Sequence, residues 1–255
     1  VHLVVEKAVA FDAVWQKAQI NLEALVKRAD PGGEAPTLED ILGALRQDII
    51  FARRQREIGA PPQWLSLALI ATSHTWENAK NEQSHQDPTL PEALLGEMAD
   101  TARVLFPIDA NTALAGLRSV YASHGQIACL VTPKRAVARL LSGAAAEQAI
   151  AEGAAHLDGD PVDAELQLVA IGAYQAREAL RAGERLRARG RKVCVTVLLE
   201  PGRFRSARDP LEAAYAADDA VLENYLPAAV GRVLVTHTRP EPMLGALRRL
   251  DGGPR

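Results

Sequence analysis

The sequence predicts an α/β protein built from two consecutive three-layer units with mostly parallel sheets. Three observations carry that reading. Short apolar runs alternate with helical segments, strand–helix–strand, from residue 104 to 132 and again from 166 to 199. The run Trp64 to Thr72 is nearly all apolar rather than alternating, which suits a central strand covered on both faces. Between the two alternating stretches lies His156-Leu157-Asp158-Gly159-Asp160-Pro161, a cluster of turn-formers that reads as a linker. It divides the chain into units 1–155 and 156–255.

In order, Phe11 to Ala29 reads as an amphipathic helix, with Val14, Ala18, Leu22 and Leu25 on one stripe, ended by Asp30-Pro31-Gly32-Gly33. Thr37 with Glu39 and Asp40 looks like a capped helix start. Ile41, Leu45, Ile49 and Ala52 continue its apolar face to about Glu57. Ala60-Pro61-Pro62 breaks the chain before the strand 64–72. Thr89 or Leu90 is expected to cap a helix with Pro91 in its first turn and Leu94, Leu95 and Met98 on its buried face.

Val104 to Phe106 is a short strand, and Asp109 opens a helix Ala110 to Ala122 with Leu114, Leu117 and Tyr121 on one side. Ile127 to Thr132 is the next strand, and Leu140 to Ala155 a loosely packed helix. The second unit reads as strand 166–171, helix 174–189, strand 192–199, helix 210–225, strand 233–236 and a final helix 241–250.

Composition narrows the class. The 255 residues are 48% hydrophobic and 24% charged, ordinary for a globular protein. A net charge of -3 and a pI near 6.1 give no global attraction to nucleic acid or to an anionic membrane. No basic–aromatic interleaving marks a nucleic-acid surface. The basic run Arg181 to Lys192 reads as a solvated helix end.

Cys129 and Cys194 both lie in apolar runs, which suits buried packing better than a disulfide or a metal pair. No His, Cys or carboxylate group has zinc spacing. No apolar run reaches the roughly 20 residues of a membrane span, and none reads as a secretory leader. The expectation is a cytoplasmic protein.

The stretch that concentrates chemistry follows the strand 64–72. A polar segment from Glu77 to Gln83 leads to Ser84-His85-Gln86-Asp87-Pro88. A polar loop beyond the carboxyl end of a buried strand is where α/β sheets place ligand sites. His85 is its group for proton transfer near neutral pH, although a lone histidine on such a loop is commonly a surface or capping residue. His237, at a strand end, is a second-tier candidate; His74 and His124 read as structural.

Thr-Ser-His-Thr-Trp at 72–76 followed by Ser84-His85-Gln86-Asp87-Pro88 resembles the signature of the thiamine-diphosphate-dependent phosphoketolases. Phe106-Pro107-Ile108-Asp109-Ala110-Asn111-Thr112 resembles that family's strand-to-helix turn, and Val131-Thr132-Pro133-Lys134 its later lysine-bearing loop. The resemblance runs from about Phe11 to Thr238 and is best from Pro61 to Lys134.

The resemblance implies a transketolase/phosphoketolase-like fold: 1–155 as the end of a pyrimidine-binding unit, 156–255 as the family's C-terminal unit. It implies that His85 faces the cofactor and handles substrate hydroxyl protons. Asn81, Gln86 and Lys134 would hold substrate, Lys134 by its phosphate. Lys80 stands where the family carries a second histidine; it can hold a phosphate or oxyanion, and a solvated loop lysine is the alternative. Phe11 stands at a tyrosine position beside the cofactor and lacks the hydroxyl. Asp109 and Asn111 suit helix capping better than substrate contact. Asp158-Gly159-Asp160 has some likeness to a magnesium-binding motif, but its setting reads as a linker turn.

The resemblance covers neither the diphosphate-binding domain nor the activating glutamate. The implied cofactor, thiamine diphosphate with magnesium, would then be shared with or supplied by another chain. The implied partner is a second chain carrying the diphosphate-binding domain, or a second copy, and the substrate a sugar phosphate. The function implied is one component of a split phosphoketolase-like enzyme forming acetyl phosphate. The alternatives are a non-catalytic regulatory subunit or degenerate relative, and a diverged thiamine enzyme of specialised metabolism.

Overall fold

The computed structural model describes residues 38–72 and 88–250, with only the backbone given for 38–41. The helix expected at 11–29 lies outside these residues. Elements are numbered over the described chain.

Helix α1, Leu38–Glu57, buries Leu45, Ile49 and Ala52, as their spacing predicts. Strand β1, Leu67–Ala71, follows. Helix α2, Thr89–Gly96, starts from Pro88, whose φ of -82° suits the entry; neither Thr89 nor Leu90 is the cap. Leu94 and Leu95 are buried as expected, whereas Met98 lies beyond the helix and is half-exposed. Strand β2, Ala102–Leu105, leads to helix α3, Ala110–Tyr121, and strand β3, Ile127–Val131. These three strands form a parallel sheet in the order β1-β3-β2.

The expectation of a central strand at 64–72 is therefore corrected. Among the described residues β1 is at the side of its sheet and β3 is in the middle. All five residues of β3 are buried, while Ile70 of β1 is 42% exposed. Apolar composition marks both strands, but only β3 is covered on both faces. The face of α3 is also corrected: Thr112, Ala113, Ala115, Gly116 and Val120 are buried, and Leu114, Leu117 and Tyr121 sit at its margin. A Cβ on Gly116 would approach Leu105 Cδ2 to 3.3 Å, so small residues set a close helix approach there.

Helix α4, Gly143–Glu152, is capped by the Ser142 hydroxyl and ends at Gly153, φ +86°. Strand β4, Ala154–Asp158, then occupies much of the expected linker. It pairs antiparallel with β6, Val193–Leu198. The turn chemistry acts later than expected: Gly159 has φ +74° and Asp160 accepts a hydrogen bond from Val162 N at 2.9 Å.

Strand β5, Leu166–Ile171, and helix α5, Ala173–Arg187, fall where the sequence places them. The single helix expected at 210–225 is instead two, α6, Pro210–Tyr215, and α7, Asp219–Tyr225, each capped by the aspartate before it. Strand β7, Gly231–Thr236, and helix α8, Pro240–Ala246, close the described chain, with a short 3-10 turn at Arg248–Leu250. The second sheet has the order β4-β6-β5-β7, with only β4 antiparallel.

Two apolar clusters run across both sheets, one on each face. Ile127, Cys129 and Val131 of β3 share a cluster with Val169 and Ile171 of β5, while Ala128 and Leu130 share the other with Leu168 and Ala170. This is the two-residue period of a strand, repeated in register across both halves. Cys129 and Cys194 are buried free thiols, and burial pushes the Cys129 thiol up to about 12.

Candidate functional site at the carboxyl edges of the sheets

In the first sheet, β1, β2 and β3 point their carboxyl ends the same way. Thr132 N donates to Ala71 O at 2.9 Å, keeping β1 and β3 together to their last residues. Of the six residues singled out, His85, Lys80, Asn81, Gln86 and Phe11 lie outside the described residues, as does His74. Lys134 is described. It sits half-buried three residues beyond the end of β3, on an irregular segment that continues to Ser142 and opens no helix. Arg135 beside it is exposed.

The far end of that segment is held by the turn after β2. Asp109, 4% exposed, caps α3 through Thr112 N at 2.8 Å, and the Thr112 hydroxyl accepts back from Asp109 N at 3.0 Å. The other carboxylate oxygen of Asp109 accepts from Leu140 N at 2.8 Å and Leu141 N at 3.0 Å. Asn111 Nδ2 donates to Leu141 O at 2.7 Å, so Asn111 holds this segment rather than capping the helix. Burial alone would raise the Asp109 pKa. The backbone N–H groups of Leu141, Thr112 and Leu140 and the Thr112 hydroxyl outweigh it and leave the carboxyl below its usual range. Asp109 is thus an ionised clamp with its lone pairs in use, and it fixes the path of the segment bearing Lys134.

The two sheets meet at these ends. Phe106 N donates to Leu199 O at 2.7 Å, and the His237 ring, 3% exposed, lies 6.0 Å from that of Phe106. Beside them Arg103 and Glu200, 4% and 1% exposed, form a two-pronged pair with both bonds at 2.9 Å, and Tyr215 donates its hydroxyl to Glu200. The guanidinium also lies 5.7 Å from the Tyr215 ring centre. Sequence reading passed over this pair. Its signal was one cation in the short strand 102–105 and one anion ending the apolar run 193–200.

The acids around these edges are committed. Asp109 is clamped, Glu200 is paired, and Glu92 receives Arg239 through N and Nη1, both at 2.7 Å. Among the described residues no three His, Cys, Asp or Glu gather where a metal ion could sit. Taken alone, the described residues do not fit a magnesium–diphosphate group. Two shallow clefts, of about 380 and 400 Å³, meet at Asp160. One includes His156 and Glu223, the other Arg187 and Lys192. Both lie by the amino ends of β5 and β6, away from the edges where parallel sheets hold ligands. His156 is occupied there by Thr196 Oγ1 at 3.0 Å and Asn224 O at 3.1 Å. No described helix is long and apolar enough to cross a membrane.

Residues 36–123 match the family model for D-xylulose 5-phosphate/D-fructose 6-phosphate phosphoketolase. A probable phosphoketolase of Streptomyces avermitilis is 30% identical over 150 residues, covering 56% of this chain and 18% of that protein. One from Brucella abortus is 49% identical over 49 residues, 19% of this chain and 6% of that protein. The chain thus spans less than a fifth of the length of these relatives. Among solved structures, the transketolase of Leishmania mexicana matches 76% of this chain and 25% of its own, with a TM-score of 0.51 and 20% identity, a likeness of fold. Over part of its length the chain is thus similar to the phosphoketolases, and its fold is transketolase-like α/β.

Proposed function

We propose that this chain is one component of a thiamine-diphosphate-dependent, phosphoketolase-like enzyme, completed by a second chain that carries the diphosphate-binding domain. The observation that carries this reading is the family match over residues 36–123, which takes in the strand β1, the sequence motif with His85, and the Asp109 turn. In this reading 1–155 is the end of a pyrimidine-binding unit and 156–255 the C-terminal unit. The substrate is a ketose phosphate, cleaved to a two-carbon unit released as acetyl phosphate.

His85 would exchange protons with substrate hydroxyls, as a neutral imidazole can near pH 7. Lys80, Asn81 and Gln86 would hold substrate, with Lys134 on its phosphate and Phe11 against the cofactor. The thiamine group would supply carbanion chemistry from a site whose magnesium and diphosphate ligands come from the partner. The clamped Asp109 supports this reading, because it fixes a lysine-bearing segment beside the carboxyl end of β1.

A second reading is a non-catalytic subunit. Lys80 in a histidine position and Phe11 in a tyrosine position favour it. Calorimetry of the chain mixed with a diphosphate-domain chain encoded beside its gene separates the two. The enzyme reading predicts magnesium-dependent binding of thiamine diphosphate to the mixture beyond that of the partner alone. Equal binding with and without this chain would support the non-catalytic subunit.

A further inference from the structure

The second sheet has a topological switch between β5 and β7. From β5 the chain passes through α5 to β6 on one side, and later returns to β7 on the other. The crevice outside the carboxyl ends at such a switch is where parallel sheets bind ligands. Gly172 follows β5 directly and is the N-cap of α5, with φ +117°. Having no side chain, it cannot cap the helix itself.

Gln175, in the first turn of α5, is fully buried, and neither its amide nitrogen nor its amide oxygen has a hydrogen-bond partner. The amide is folded back onto the N-cap. A Cβ on Gly172 would stand 2.3 Å from Gln175 Oε1 and 3.4 Å from His237 Cβ. His237, at the end of β7, forms the facing wall.

Burying polar groups without hydrogen-bond partners is costly, and a leucine here would avoid that cost. Stability therefore does not explain this residue. The amide is one donor and one acceptor set beside the positive end of a fifteen-residue helix. We propose that the N-terminus of α5 and the Gln175 amide form a subsite for a phosphate group, either free phosphate or the monoester of a small metabolite. Nε2 donates to a charged phosphate oxygen and Oε1 accepts from a P–OH or a neighbouring hydroxyl. The first-turn N–H groups face the charge. The subsite uses none of the residues of the catalytic reading and does not rest on it.

The test is a residue-resolved NMR titration of the full ¹⁵N-labelled chain with inorganic phosphate, glycerol 3-phosphate and sulfate in turn. The proposal predicts saturable shifts at Ala173, Tyr174, Gln175 and the Gln175 side-chain amide. These persist in Lys134→Ala and are at least tenfold weaker in Gln175→Leu. Sulfate, which carries no proton at neutral pH, should bind at least tenfold more weakly than phosphate. Tighter glycerol 3-phosphate would identify a monoester as the ligand, and tighter inorganic phosphate the free ion. Absence of shifts at these amides, as a bound water alone would give, overturns the proposal. So does unchanged affinity in Gln175→Leu or equal binding of sulfate. If Gln175→Leu fails to fold, the phosphate-against-sulfate comparison on the unaltered chain decides.

Discussion

Asp109 was legible from sequence only as a helix cap. The structure gives it a second load, the backbone of Leu140 and Leu141, contacts made by main-chain groups that no side-chain pattern encodes. Replacing it removes a cap and strands buried N–H groups together. Asp109→Ala should cost about 2 kcal/mol or more in urea unfolding. Asp109→Asn, which keeps one acceptor oxygen, should cost less. In a mixture competent for turnover, Asp109→Asn should raise KM for the phosphorylated substrate more than it lowers kcat, because the displaced group is the segment holding Lys134. An unchanged KM would separate Asp109 from the lysine. His85 could be singled out by its motif alone, whereas Gln175 could not be. A glutamine in the first turn of an amphipathic helix looks like any surface residue until burial is known.

At the scale of elements, the strands 127–131, 166–171 and 193–198 were readable because every second residue meets one of two continuous apolar layers. The antiparallel strand β4 was not. Its outer residues His156 and Asp158 look like the start of the turn that begins only at Gly159. The break between α6 and α7 was also missed. Asp218 caps a new helix, and Ala217 N is drawn to Arg203 O at 2.8 Å.

The start of α6 carries the clearest pH signature. Burial would raise the Glu212 pKa, but Arg208, the N–H groups of Ala99 and Arg208, and the charge of Arg205 hold it at about 2. Its ordinary value is 4.5, so between about pH 4.5 and 2 the unfolded chain binds the extra proton. Stability from this group is therefore present above pH 4.5 and is lost as the pH falls through about 2. Urea midpoints measured from pH 6 down to pH 2 should fall in the unaltered chain, and fall less steeply in Glu212→Gln, which starts lower. Parallel profiles would contradict the assignment.

At the scale of the molecule, the two sheets share both apolar layers. Arg103 in β2 and Glu200 after β6 join them at the centre, shielded from water. Burial would lower the Arg103 pKa, but Glu200 more than compensates and raises it, so the guanidinium stays charged. Arg103→Met should destabilise by about 3–5 kcal/mol by stranding the Glu200 carboxylate. Adding Glu200→Leu should recover much of that loss. Denaturant unfolding of the single and double variants would show no recovery if the pair were not coupled.

This joint brings the end of β2 against the end of β6, where Phe106 N donates to Leu199 O at 2.7 Å. The most direct measurement of the functional claim is acetyl phosphate formed from a ketose phosphate, inorganic phosphate, thiamine diphosphate and magnesium by the chain together with its diphosphate-domain partner. The account predicts product only when both chains are present, and its loss in His85→Ala. No product from the mixture, or undiminished product from His85→Ala, would contradict it.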